Sequence, residues 1–465
     1  MINLAHQLRD PNETYVLRTQ EWQRLSEKWL PVSPPGSIWS YSRSHKPCDI
    51  KQGWKLHIAA TVLSAGQIFE AVAPYLNRRD VLFKGPTSLD ELQKLNAGVE
   101  YAYSQVGKFI TVYPRSPHEA KSLVRELHKL TRAFPAPNIP FDFRFRPDSI
   151  VFYRYGAFET LTTEDSNGNR VPALRREDGT LVPDPRYAET ARPDWVPPLF
   201  ANEGSAPVEN SRLLTDYRPF KSLSQRGKGG VYKAIDFTSS LPRPCIVKEG
   251  RYCGETSWDG TDGAYLIAHE EIVLRSLQAK GIPAPAMLES FELRRNKYLV
   301  TEFIQGTTLD ELLRKRQRRL RFDQIVTHAI QLASLMNRIH EAGWAWRDCK
   351  PANIIVGRNG SLRPIDFEGA TPIDVVQRRI WSTSNFTPGL SVAGSGRLSD
   401  LYALGAVIYF MITGQLPAKE SSVSLKTLRR NTPEELCIFV HRLLNGSLLS
   451  ARQAWQELHR FSYRS

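Results

Sequence analysis

With 465 residues, 41% of them hydrophobic and 10% aromatic, the chain has material for two or three packed domains. Its formal net charge of +14 points to acidic partners: nucleic acid, a membrane surface, a nucleotide or an acidic peptide. No zinc-finger spacing or RNP-like aromatic motif supports nucleic acid, and five scattered cysteines (48, 245, 253, 349, 437) without a CxxC pair exclude a disulfide framework or thiolate zinc site.

The N-terminus, MINLAHQLRDPNET, lacks the apolar core of a signal peptide, which with the cysteine pattern predicts a reduced, cytoplasmic protein. Residues 1–44 read as a helical entry segment (VLRTQEWQRLSEKWL) ending at the breaker SPPGS. From 45 to 160 strands alternate with helices. In the first strand, GWKLHIAAT (53–61), Trp54, Leu56, Ile58 and Ala60 make one apolar face, while Lys55 and His57 stand together on the other. A half-solvated strand is the plain explanation of that pair. DVLFK, KFITVYP and a pair within FDFRFRPDSIVFYRYGAF are the further strands. Ser64 with Gln67, Ser88 with Glu91 and Ser116 with Glu119 have capping-box spacing and predict three helix starts. Residues 161–216 are dense in Pro, Gly, Asp, Asn and Glu without sustained periodicity, and read as a linker or extended wrapping segment.

From 217 to 465 six pieces occur in fixed order. SQRGKGGVYKA (224–234) reads as strand, glycine turn, strand, and carries Gly229 and Val231. CIVKEGR places Lys248 on the next strand, and AHEEIVLRSL places Glu270 on a helix. YLVTEFIQGTTLDELL holds Thr301, Glu302 and Phe303. WRDCKPANIIV holds Asp348, Lys350 and Asn353, and PIDFEGA holds Asp366, before SDLYALG and its Asp400. The run LYALGAVIYFMIT (401–413) is too short to span a bilayer and reads as a buried helix. Each piece alone is weak; their order and context resemble the protein-kinase superfamily over about residues 217–462. That resemblance implies ATP, or another nucleoside triphosphate, with Mg²⁺ as cofactors. Asp348 would accept the proton of the attacking hydroxyl, and Asn353 and Asp366 would hold Mg²⁺. Lys248, braced by Glu270, would hold the phosphates beneath the Gly229–Val231 turn; Glu302 and Phe303 would offer backbone groups to adenine. Lys350 would neutralise the transferred group. The chain departs from the family at Ser224 and Arg226, where the first two glycines would stand. Trp346 replaces the histidine before Arg-Asp, Glu368 ends the DFG-like triplet, and no APE follows. These changes put activation-loop phosphorylation of the eukaryotic kind in doubt and remove no catalytic group.

With a kinase downstream, Lys55-x-His57, Lys84 ending a strand, Lys108 in GKFITVYP and Arg154 in FYRYG resemble the phosphothreonine lyases of bacterial effectors. The whole order resembles class III lanthipeptide synthetases over about residues 30–462. The implied fold is α+β: an N-terminal phosphothreonine-lyase-like α/β domain followed by a two-lobed protein-kinase-like domain. The implied activity is ATP-dependent phosphorylation of Ser/Thr in a precursor peptide, then elimination of phosphate to a dehydroamino acid. Elimination needs a base, an acid and cations for a dianion. Lys84 would be the base, made neutral by surrounding positive charge, and His57 the proton donor. Lys55, Lys108 and Arg154 would hold phosphate, with Arg144 or Arg146 as alternatives to Arg154. The basic run LLRKRQRRLRF (312–322) reads as a solvated helix face or as a dock for an acidic or helical leader. The chain stops after the kinase's last helix, with no room for the C-terminal cyclase of full-length members. Thioether rings, if made, need another protein, a separate cyclase or tailoring enzyme, or form spontaneously. The alternatives are a Ser/Thr kinase whose N-terminal domain binds phosphopeptides without chemistry, and a pseudokinase scaffold.

Overall fold

The computed structural model describes residues 10–184, 192–201, 211–315, 320–373, 386, 396–417 and 432–462. The chain divides into two compact units. The first comprises Met1–Tyr232, Lys248–Tyr265 and Glu292–Tyr298; the second comprises Lys233–Val247, Leu266–Phe291 and Leu299–Ser465.

In the first unit, helix α1 (Pro11–Trp29) is followed by β1 (Trp39–Tyr41), β2 (Gln52–Ala59), α2 (Ala65–Arg78), β3 (Leu82–Pro86), α3 (Leu89–Ala97), β4 (Lys108–Tyr113), α4 (Pro117–Thr131), β5 (Phe143–Arg144) and β6 (Val151–Ala157). The strands form one six-stranded sheet in the order β1-β3-β4-β2-β6-β5, antiparallel at every pairing. Trp54, Leu56 and Ile58 of β2 pack in one core with Trp22 of α1, Ile68, Phe69 and Val72 of α2, and Leu123, Val124 and Leu127 of α4. Burying this stripe supplies the folding drive, at about 1.5–3 kcal/mol per large side chain. The other face is left for Lys55 and His57.

Ser88 and Ser116 cap α3 and α4, accepting from the backbone N–H groups of Glu91 and Glu119. Ser64 does not cap α2. Its backbone is helical, and its hydroxyl is engaged by Thr61 and the Pro135 carbonyl instead.

Part of the segment expected to be a linker folds. β7 (Thr162–Glu164), β8 (Arg170–Arg175) and β9 (Leu181–Pro183) make a three-stranded antiparallel sheet. Its turns are Asn167-Gly168 and Asp178-Gly179, with both glycines at positive φ (76° and 88°). Val196 and Leu199, further on, are buried in the core of the six-stranded sheet.

The remaining elements are α5 (Arg212–Thr215), β10 (Tyr217–Arg226), β11 (Gly229–Asp236), β12 (Arg243–Gly250), α6 (Gly263–Ala279), β13 (Met287–Leu293) and β14 (Asn296–Glu302), with β10-β11-β12-β14-β13 in sheet order. Then come β15 (Thr307–Thr308), α7 (Leu309–Lys315), α8 (Phe322–Glu341), β16 (Trp344–Ala345), β17 (Ile354–Val356), β18 (Leu362–Pro364), β19 (Thr371–Pro372), α9 (Gly396–Thr413), α10 (Glu434–Leu444) and α11 (Ala451–Ser462). Helix α9 is the greasy run read from the sequence: Leu401, Leu404, Val407, Ile408 and Ile412 sit in one core with α8, α10 and α11. Among the described residues no helix is long and apolar enough to cross a membrane.

Candidate active sites

The polar face of the six-stranded sheet is assembled by register. Tyr41 pairs with Lys84, Lys84 with Thr111, Thr111 with His57, His57 with Phe152, and Phe152 with Arg144. Directly paired residues point to the same face, so these six side chains form a row across the sheet. Lys55, two residues from His57, pairs with Arg154 in the next row on that face. Lys84 and His57 are therefore not on adjacent strands: β4 lies between them, which sets their Cα atoms about 9–10 Å apart.

Lys108 reaches this face through a bulge. Ile58 pairs with Ile110, yet Ala59 pairs with Lys108, so Phe109 is an extra residue on β4. Strict alternation from Thr111 would send Lys108 toward the helices. The bulge instead leaves both Phe109 and Ile110 in the core and brings Lys108 opposite Ala59, on the side of His57.

An aspartate that sequence reading missed completes the group. Asp142 Oδ2 is 2.5 Å from His57 Nδ1, and its Oδ1 is 3.8 Å from Lys108 Nζ; its side chain is fully buried. Burial pushes Asp142 up, but Lys108 and His57 outweigh it and hold the carboxyl down at about 2. Burial likewise brings the His57 imidazole down to about 4; Asp142 pulls against this, while Lys108 and Lys55 reinforce it. At neutral pH the free site thus pairs a carboxylate with a neutral imidazole.

Lys84 Nζ lies 4.2 Å from the centroid of the Trp39 ring and 6.0 Å from that of Tyr41. The Lys55 side chain lies across Gly156, where an added Cβ would stand 3.3 Å from its Cε. Arg154 is buried and donates from Nη2 to Asp184 Oδ1 at 2.7 Å. Arg144 donates to the Ser149 carbonyl and to Asn138 Oδ1 and stacks over Phe152 (4.6 Å), whereas Arg146 lies beyond the strand against Phe145. Of the three arginines, Arg154 stands beside Lys55.

In the second unit the Trp346–Asn353 loop is wired to one buried carboxylate. Asp400, fully buried, accepts from the backbone N–H groups of Trp346 (2.8 Å) and Arg347 (2.6 Å) and from His340 Nε2 (2.8 Å). Arg347 and Asp366 hold left-handed backbone, at φ 63° and 67°. Such conformations cost about 1–2 kcal/mol each and persist where surrounding bonds fix them. The fixing groups are Asp400 for the first and Trp346 for the second: the Trp346 indole N–H donates to the Asp366 carbonyl at 2.9 Å, and its ring stacks on Phe367 at 5.7 Å. Trp346 therefore joins the catalytic-type loop to the Asp366-Phe367 turn.

Asp348 Oδ2 accepts from Asn353 Nδ2 (2.7 Å), and both its oxygens from Lys350 Nζ (2.9 and 2.8 Å). Asn353, with its amide nitrogen so committed, has its carbonyl oxygen to offer. With the Asp366 carboxylate this is a hard-oxygen donor set of the kind Mg²⁺ takes. Buried Glu270 accepts from the Phe367 N–H at 2.9 Å. Glu302 spends its N–H on the Ala286 carbonyl and its side chain on Arg363, which leaves its carbonyl and the Phe303 backbone for a base. Lys248 and Val231 lie on β12 and β11, both half-buried. Gly229 packs against the Glu249 carbonyl, 1.8 Å from where a Cβ would be, which accounts for a glycine there. Part of the 312–322 run, residues 316–319, and most of residues 374–395 lie outside the described residues.

Comparison with known proteins covers both halves. Residues 19–211 match the RamC N-terminal domain and residues 229–457 the protein kinase domain. The probable SapB synthase of Streptomyces coelicolor is 29% identical over 85% of this chain and 42% of its own length. Serine/threonine-protein kinase F of Synechocystis is 28% identical over 44% of this chain and 45% of its own. The probable serine/threonine-protein kinase PknB of Lactococcus lactis is 25% identical over 49% of this chain and 36% of its own. The chain thus spans less than half the length of these curated relatives. It carries a RamC N-terminal domain followed by a protein kinase domain.

Proposed function

We propose that the chain dehydrates Ser and Thr residues of a ribosomally made precursor peptide, by phosphorylating the hydroxyl with ATP and then eliminating the phosphate. The observation that carries this reading is the cationic sheet face, with Lys84 and His57 in one row and Lys55, Lys108 and Arg154 beside it, in a chain that also carries a kinase domain.

In the first step Asp348 takes the proton of the attacking hydroxyl, and Lys350 neutralises charge on the group in transfer. Asn353 and Asp366 would hold Mg²⁺, which supplies charge neutralisation on the phosphates when bound. Lys248, Glu270 and the Gly229–Val231 turn hold the triphosphate; Glu302 and Phe303 line the base.

In the second step the phosphopeptide lies across β4. Lys84 removes the Cα proton, and the electron pair forms the Cα=Cβ double bond as the Cβ–O bond breaks. Phosphate leaves with the oxygen. Lys55, Lys108 and Arg154 hold its charge, and Asp142 keeps the His57 ring oriented with Nε2 free to serve as the donor position. An arriving dianion offsets the positive potential of Lys108 and Lys55 that depresses His57, so substrate itself draws a proton onto the imidazole. A phosphoserine, with a second pKa of about 6, also brings protons near neutrality.

The test is mass spectrometry of a Ser/Thr-rich precursor treated with the full chain, ATP and Mg²⁺. The expected product is about 18 Da lighter per site, by loss of water across the two steps. A product that stops about 80 Da heavier per site would mean kinase activity with a phosphopeptide-binding domain in place of a lyase.

A further inference from the structure

The first unit holds more than the six-stranded sheet: it includes the turn between β10 and β11, the glycine hairpin of the kinase motif. That turn is fastened to the end of α3. The Gly227 N–H donates to the Ala97 carbonyl at 2.9 Å, and a Cβ on Gly227 would lie 1.6 Å from the Asn96 carbonyl oxygen. Only glycine allows this approach.

A second strap comes from Arg251. Its Nη1 donates to the Arg226 carbonyl at 2.7 Å, its guanidinium lies 5.4 Å from the Tyr103 ring centroid, and its Nη2 pairs with Glu249 at 2.8 Å. Its own N–H donates to the Lys228 carbonyl at 2.8 Å. Both sides of the hairpin turn are thus gripped by one arginine seated on Tyr103.

The same anchors lead into the sheet face. The buried Asn96 side chain donates to the Ala60 carbonyl (3.0 Å) and accepts from the Gly107 N–H (3.2 Å), on the two segments that flank the Ala59–Lys108 pair. Tyr103 packs edge-on against Phe141 at 5.9 Å, one residue before Asp142.

We infer that the RamC-type domain positions the nucleotide-covering hairpin, with Tyr103 and the Asn96–Ala97 turn as positioning residues for phosphoryl transfer. The inference rests on the kinase reading of residues 224–234. A glycine-bearing hairpin has more conformational freedom to lose than any other, and seating it on a rigid sheet domain removes that cost from nucleotide binding. Without the seat the hairpin moves and the grip on ATP weakens, while Asp348 and Asn353 keep their geometry.

The experiment uses the full chain with Tyr103→Leu and Tyr103→Phe, measuring ATP·Mg²⁺ affinity by calorimetry, KM and kcat for peptide phosphorylation, and elimination from a chemically phosphorylated peptide. Tyr103→Leu should raise the Kd and KM for ATP about 3–10-fold, the range of a lost cation–ring contact, with kcat within about twofold. Tyr103→Phe, which keeps the ring and loses only the hydroxyl beside Arg251, should lose less than Tyr103→Leu. Elimination should change less than about twofold in both, since leucine preserves the apolar contact with Phe141. An unchanged ATP affinity in Tyr103→Leu, or an equal loss in Tyr103→Phe, would overturn the inference. If Tyr103→Leu also loses elimination, Gly227→Ala decides: it should weaken ATP at least about tenfold with elimination intact, and wild-type affinity there overturns the inference. Failure of the wild-type chain to bind ATP would instead overturn the kinase reading.

Discussion

The two candidate sites are built in opposite ways. On the sheet face, Lys84, Thr111, His57 and Phe152 come from four strands and are aligned only by backbone register. In the catalytic-type loop, Trp346, Arg347, Asp348, Lys350 and Asn353 are neighbours in sequence, and buried Asp400, 54 and 53 residues away, holds the backbone of Trp346 and Arg347. A sheet row cannot shift one member without shifting the strand, whereas a loop keeps its shape only while its few hydrogen bonds hold. The first should tolerate loss of a single side chain with its geometry intact; the second should depend heavily on a residue that touches no substrate.

Crossed variants give the largest effects. Lys84→Met should lower elimination about 1,000-fold or more and leave a phosphorylated peptide as end product, because the proposed base is gone and kinase groups are untouched. Asp348→Asn should do the reverse, stopping phosphorylation while a chemically phosphorylated peptide still loses phosphate; mass spectrometry reads both. If either variant loses both activities, the two sites are not separable in this way.

Asp400→Asn tests the loop's dependence on its remote carboxylate. It weakens two backbone hydrogen bonds and the one to His340 in a buried setting, and should cost about 3 kcal/mol of stability along with most phosphorylation. Denaturant unfolding together with phosphorylation rates checks this. Asp142→Asn, at the sheet, should be milder, slowing elimination about 10–100-fold and changing its pH profile, since the imidazole loses its orienting charge but the row stays in register.

The smallest effect is on acid stability. His57 in the folded chain sits at about 4, below its ordinary 6.5, so unfolding takes up a proton at mildly acidic pH. Its neutral burial is fully accommodated above pH 6.5, and that stability is lost progressively as pH falls toward 4. Thermal unfolding should show the melting temperature falling over this window, and His57→Phe should flatten the decline. An unchanged slope in the variant would place the acid sensitivity elsewhere.

Much of the sheet face was readable because alternation is local: Lys55 and His57 lie on one face, opposite Trp54, Leu56 and Ile58. Register is not local, so the strand between Lys84 and His57 could not be inferred from the motifs. Asp142 escaped because it reaches His57 from a loop, 85 residues away in sequence, next to Phe141 in left-handed backbone. Its one visible signal was a lone acid between two phenylalanines in PFDFRF. The three-stranded sheet at 162–183 was hidden by short strands with little hydrophobic pattern, although Asn-Gly and Asp-Gly had already announced its turns. The kinase loop was legible as a motif, but the use of Trp346 in place of histidine was not. Its indole serves two neighbours at once, which only the packing reveals.

The bulge at Phe109 acts as a frameshift in three dimensions. Whether the extra residue is bulged or taken into the strand's alternation decides whether Lys108 faces phosphate or oil, while the letters stay the same. Two chains could therefore share GKFITVYP letter for letter and differ in chemistry, if one straightened the strand. Deleting Phe109 would leave a void beside Trp22 and Phe69, yet it would restore plain alternation from Thr111 through Ile110 to Lys108 and keep the lysine opposite Ala59. What is inherited at this position is thus a backbone shape as much as a string of letters.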